Sequence, residues 1–293
     1  MVIKGKFKKL LLGTSVVIGA TAIGTTPASA QGFSTSGVNI TYCSDGINTF
    51  FDGQVEMSCT DSLGTILSGN SSAPGGNVEL GGDTTDFASL TEFQGLGAST
   101  LTADFGNNHI ISFSSLTYSD WFGTNTPTDF SADNLATQWF KDGLATYGQT
   151  IRDRAAMVNP DLDTDEEIFA AFVTLGGFQN LSDPNVAYVN KSGDLVTFGL
   201  ASRQDASGIS PLFEGIFTSE VVKVTKDSKS EFFYSFLPPT DSGQVNKDGV
   251  SHDANYEFSL VWKDNEKVPE PSAIMGLFAL GSLFAAKGKG KQS

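Results

Sequence analysis

Two cysteines, two histidines and eighteen basic residues in 293 are the scarcities that frame this sequence. Neither His109 nor His252 accompanies a G-x-S-x-G nucleophile turn, so nothing points to a Ser-His-Asp hydrolase. His109 reads as the start of a strand and His252 as part of a polar loop, and a two-histidine metal site would need them close in space. Two cysteines make neither a C-x-x-C redox pair nor a zinc cluster. The 18 basic residues face 33 acidic ones, which excludes nucleic acid and anionic headgroups as partners. No repeat of fixed period is present. Long hydrophobic runs are confined to two places, residues 10–23 and 273–286.

The first run belongs to a secretory signal peptide. Lys4, Lys6, Lys8 and Lys9 form its positive n-region, and Leu10 to Ile23 is apolar apart from small residues. Ala28-Ser29-Ala30 is a small-x-small cleavage site, which makes Gln31 the first mature residue. The alternative is an N-terminal anchor, but the run falls short of the roughly 20 residues a span requires. Domains are accordingly expected at 1–30 (signal), 31–267 (exported body) and 268–293 (tail).

The body keeps 11 basic and 32 acidic residues, a net charge near −21 on 237 residues. Such a charge favours solubility and attracts divalent cations. The whole chain has 23 phenylalanines, more aromatic surface than a disordered stalk would hold, so the body is expected to fold. An even number of cysteines in an exported chain predicts a Cys43–Cys59 disulfide. Asp45-Gly46 and Asp52-Gly53 lie between them as turn signals, and the strands would be Val38–Tyr42 and Gln54–Ser58. The bridge would contribute roughly 3 kcal/mol by restricting the unfolded chain.

Along the body, Ser68–Asn77 reads as a loop, Asn77–Leu80 as a strand and His109–Thr117 as a half-buried strand, while 83–101 carries no clear signal. Ser131 is an expected N-cap for a helix through Leu135, Trp139, Phe140 and Leu144, ending near Gly148. A second helix is expected over Gln149–Val158, stopped by Asn159-Pro160. A third starts at the capping box Thr164–Glu167 and stops at Gly176-Gly177. Val186–Val189 and Leu195–Leu200 flank a turn, as do Glu220–Thr225 and Glu231–Phe236, and Tyr256–Trp262 is the last strand. The order predicts an α+β fold: a mainly antiparallel β domain with a helical insertion at about 131–176, plus an N-terminal signal helix and a short C-terminal hydrophobic helix.

The tail opens with Val268-Pro269-Glu270-Pro271-Ser272, continues as AIMGLFALGSLFAA and carries Lys287, Lys289 and Lys291. It resembles the PEP-CTERM sorting signal of bacteria that make exopolysaccharide: Pro-Glu-Pro, a short hydrophobic helix, a basic end. Pro271 suits the first turn of a helix. The fifteen residues 272–286 make about 22 Å of helix, short for a hydrocarbon core of about 30 Å. Lysines on the cytoplasmic side would leave the body outside. The resemblance implies recognition by an exosortase, a transpeptidase-like membrane enzyme, with cleavage near Pro269-Glu270-Pro271. A plain C-terminal anchor is the alternative. SSLTYSDWF, ATQWF and LSDPNVAYVNKSGDLVTFGLA are similar to segments shared among one group of such proteins in photosynthetic bacteria, a group that brings no functional residue with it. Leu237–Asp241 superficially matches LPxTG but ends in Asp, and reads as a turn.

The body's acidic residues permit a glycosidase pair without pointing to one. Asp161, Asp163 and Asp165 resemble the start of a calcium loop, but Glu166 stands where the glycine belongs and Phe172 where the bidentate Glu belongs, so the capping box accounts for them better. Asp241, Asp248 and Asp253 are a candidate weak cation loop. Trp121, Trp139 and Trp262 are candidates for sugar stacking or for core packing, with Trp121 expected to be the most exposed. No catalytic residue, cofactor or committed metal site follows. The expected partners are the Sec translocon, signal peptidase, an exosortase and exopolysaccharide, with membrane contact through the tail alone: transient inner-membrane anchoring, then cell surface or matrix. The first functional reading is a non-enzymatic surface protein. The others are a secreted polysaccharide hydrolase and a sugar- or calcium-binding adhesin.

Overall fold

Strict alternation of apolar and polar residues lets a strand bury one face and wet the other, and the strands Thr100–Asp104, Val222–Lys226 and Ala254–Val261 largely follow it. The computed structural model describes residue 30 and residues 32–37, 40–43, 62–81, 89–107, 109–202, 206–242 and 254–261. The chain divides into a unit ending at Leu260 and a second, Val261–Ser293, of which only Val261 is described. Gln31, Cys59, His252, Trp262 and Pro269–Pro271 lie outside the described residues, as do the expected signal helix and tail helix.

The elements run β1 (Gly32–Ser36), β2 (Ile40–Cys43), α1 (Leu63–Ile66), β3 (Gly69–Asn70), β4 (Ala73–Pro74), β5 (Asn77–Leu80), α2 (Leu90–Gln94), β6 (Thr100–Asp104) and β7 (Ile110–Ser114). Helices α3 (Tyr118–Phe122), α4 (Leu135–Val158) and α5 (Asp165–Thr174) follow. Strands then resume with β8 (Asn185–Ser192), β9 (Leu195–Ser202), β10 (Val222–Lys226), β11 (Lys229–Phe233), β12 (Thr240–Asp241) and β13 (Ala254–Val261). The fold is α+β with antiparallel sheets. One sheet has the order β1-β6-β7-β10-β11, another β12-β13-β9-β8-β5-β2, and β3-β4 form a small ribbon.

The two large sheets meet through aromatic rings. Phe113 of β7 lies edge-on to Phe198 of β9 at 5.0 Å, and Phe198 contacts Phe233 of β11 at 5.4 Å and Phe258 of β13 at 5.4 Å. Val196, Phe198 and Leu200 alternate inward along β9 and are fully buried. On the opposite face Tyr188 lies over Gly199, where a Cβ would come within 2.1 Å of the ring. The irregularity between Val186 and Tyr188 puts Tyr188 opposite Gly199.

The helices enclose a second core. Trp139 of α4 stacks on Phe172 of α5 at 5.5 Å and lies near Phe213 at 5.6 Å and Phe236 at 4.9 Å. Phe178 contacts Trp121 at 4.7 Å, Phe172 at 5.0 Å and Phe122 at 5.5 Å. Gly143 of α4 lies against the ring of Phe236.

Several expectations change. Asn134, not Ser131, caps α4, its Oδ1 accepting the Thr137 N–H at 2.9 Å. Ser131 instead donates to Asp129 in the preceding turn. The two helices expected over 135–158 are present as two helical stretches of α4 joined across a kink at Tyr147, next to the expected break at Gly148. The third helix begins at the Thr164–Glu167 capping box and is followed by Gly176 at φ +80°. The expected loop 68–77 holds the β3-β4 ribbon. The β10-β11 turn is tighter than expected, two residues, Asp227 and Ser228, both at positive φ. Thr240-Asp241 is a short strand on β13, not a turn. Strand β2 pairs with β5, while Gln54–Ser58 lies outside the described residues.

Two substitutions rank these contributions. Phe178→Ala is expected to cost about 3–5 kcal/mol because it opens a cavity in the aromatic core. Thr164→Ala loses one exposed cap and is expected to cost about 1 kcal/mol. Urea unfolding of both variants checks the order, and equal losses would contradict it.

Candidate functional site

Glu220 lies in the segment leading into β10, in the five-stranded sheet, and reaches the other sheet. Its Oε2 accepts the backbone N–H of Asn185, the first residue of β8, at 2.7 Å. The Asn185 Nδ2 donates to the two carboxylate oxygens at 3.3 and 3.5 Å. Asn77, first residue of β5, donates through Nδ2 to the Asn185 Oδ1. Backbone bonds reinforce the junction: Leu80 N–H to the Pro184 carbonyl at 3.1 Å, Leu116 N–H to Ser182 at 2.9 Å and Val221 N–H to Leu181 at 3.0 Å. Residues 181–185 are thus stitched to β5 and to the segments that follow β7 and precede β10.

Two more carboxylates, Asp183 and Glu79, stand beside Glu220. Burial raises its carboxyl well above the usual glutamate range, and the charges of Asp183 and Glu79 push the same way, against the Asn185 donors. A raised carboxyl next to another acid is the signature sought for a general acid. Here, however, both oxygens of Glu220 are engaged by groups that hold the sheets together. The arrangement is a polar clasp between the sheets.

The sequence had offered other residues. Trp121 is not exposed: it is fully buried, and its Nε1 donates to the Ser182 Oγ at 2.8 Å. Trp139 is also fully buried. Neither presents a stacking face to solvent, because each fills the aromatic core. His109 is half-buried, and its backbone closes the β6-β7 turn through Phe105 and Gly106. Asp241 lies in β12, whereas Asp248 and Asp253 lie outside the described residues. The Glu167 carboxylate receives the Thr164 N–H and hydroxyl and so serves the α5 cap, while Asp165 pairs with Arg152. Cys43 ends β2 opposite Asn77. Ala30, half-buried, precedes β1.

A shallow recess lies apart from the clasp, lined by Thr128, Asp129, Phe130, Ser131, Lys141 and Glu166. The Lys141 Nζ sits 4.8 Å from the Phe130 ring centroid, and the Asp129 Oδ1 accepts the Ser131 N–H at 3.0 Å and its hydroxyl at 2.6 Å. Asp129 and Ser131 are thus committed to the turn. Among the described residues no group of His, Cys, Asp and Glu could hold a metal, and no helix is long and apolar enough to cross a membrane.

Sequence reasoning missed Asn77, Asn185 and Glu220. The first two stand more than a hundred residues apart, and each merely begins a strand, a place where a polar residue is ordinary.

The clasp predicts a pH dependence with a definite sign. A carboxyl whose pKa is raised by folding adds stability that is complete below the unfolded value, about 4.3 for Glu. That stability is lost as pH rises through the folded value. As pH rises above about 4, the wild type should therefore lose stability relative to Glu220→Gln, whose amide cannot ionise. Urea midpoints of both proteins across this range measure it, and parallel curves would refute it.

No family model, no curated protein and no solved structure matches this chain.

Proposed function

We propose that this is an exported protein, sorted to the cell surface through its tail, that serves there as a non-enzymatic component associated with exopolysaccharide. The tail carries the reading: Pro269-Glu270-Pro271, a short apolar stretch and three lysines follow one another in the order that an exosortase substrate requires. The signal-peptide features at 1–30 support it. Signal peptidase would cut between Ala30 and Gln31, and an exosortase near the Pro-Glu-Pro. Between these cuts lies an α+β body whose net charge near −21 suits an aqueous exterior. The body's buried tryptophans and its carboxylate clasp work for the fold, which favours a structural role over hydrolysis.

Intact mass and cell fractionation of the wild type and of Glu270→Ala test the sorting. The wild type is expected to lose about 23 C-terminal residues and to leave the inner membrane, while the variant keeps its tail and stays membrane-bound. Equal masses and equal locations would overturn the proposal.

A further inference from the structure

The strand registers place an unbroken line of hydroxyls on the outer face of the five-stranded sheet. Ser34 pairs with Thr102, Thr102 with Ser112, Ser112 with Thr225, and Thr225 with Ser230. Each of the five strands contributes one hydroxyl residue, and their inward neighbours Leu101, Phe113 and Val224 confirm the facing. A second line, Ser36–Thr100–Ser114, runs parallel, two residues along each strand. It ends at Lys223, which is ion-paired to Asp120 of α3 at 2.8 Å. Ser34 and Ser230, the ends of the first line, are exposed, and Thr102, Ser112 and Thr225 between them are half-buried.

Three properties of the line restrict its partner. First, it is uncharged on a strongly acidic body, so a neutral polymer approaches without the repulsion an anionic one would meet. Second, its hydroxyls pair across strands, Thr102 with Ser112 at 3.3 Å and Thr225 with Ser230 at 2.8 Å. A hydroxyl has one donor and two acceptor sites, so every such pair still offers one donor and three acceptors outward. That is the complement of another hydroxyl array. Third, neighbouring strands are about 4.8 Å apart, so the line spans about 19 Å. Sheet twist turns successive hydroxyls by roughly 20–25° per strand. A rigid flat lattice cannot follow that turn, but a single flexible chain can.

We propose that the line Ser34–Thr102–Ser112–Thr225–Ser230 is a binding face for a single chain of a neutral polysaccharide. It rests on the preceding reading only for where the partner is met. With no aromatic platform and no charge, each contact is weak, so binding depends on many contacts made along one polymer.

Affinity electrophoresis of the full-length protein in gels containing a soluble neutral glucan, dextran or amylose, tests this. The wild type is expected to be retarded, and free polymer but not free glucose should compete. Thr102→Val, Ser112→Ala and Thr225→Val combined should weaken retardation at least about tenfold. Thr197→Val with Ser259→Ala, which removes a hydroxyl pair from the other sheet, should leave it unchanged. Circular dichroism and thermal midpoints show whether the triple variant folds; if it does not, the milder pair Ser34→Ala and Ser230→Ala takes its place. An unretarded wild type, equal retardation of wild type and row variants, stronger retardation by anionic alginate, or self-association of the wild type that the row variants lose would each overturn the proposal. Glu270→Ala alters location and mass without touching this face, so failure of sorting and failure of binding are read separately.

Discussion

The fold depends on burying the ring of Trp139. It is fully enclosed, and its neighbours come from α5, from the turn at Phe213 and from the segment after β11. Fully burying a large aromatic side chain contributes on the order of a few kcal/mol, and offset or edge-on ring pairs add about 0.5–1.5 kcal/mol each. That gain, shared with Phe140, Phe169 and Phe178 of the same core, offsets the expense of holding α4 and α5 in place. The Arg152–Asp165 ion pair also joins the two helices at 2.9 Å, but it is largely exposed and adds little.

The polar junction complements this core. Trp121 reaches the Ser182 hydroxyl, Lys223 reaches Asp120, and Asn77, Asn185 and Glu220 form a chain between the sheets. Apolar packing is tolerant of small slips, whereas hydrogen-bonded groups deep in a protein are not. The junction therefore fixes the register of the sheets, and the aromatic core holds them together.

Legibility in the sequence followed the range of the interaction. The α5 capping box, the break in α4 and strands β5, β9 and β13 were readable because caps and periodicity are local. Ser131 misled because it is an equally good hydrogen-bonding residue three positions early, and Asp129 claims it. Trp121 misled because it follows a strand in a polar context, while the group that buries it, Phe178, comes more than fifty residues later. The clasp and the hydroxyl line were invisible for the same reason: each is assembled from strands whose neighbours in space are not neighbours in sequence.

That last feature bears on time as well as space. Strand β1 waits for β6, which is made more than sixty residues later, and β9 is enclosed only when β13 arrives, the last described strand. Pairing of this kind is slow, because long loops must close before any contact rewards them. A chain wired in this way commits late: its two large sheets close only after the last of these strands has been made.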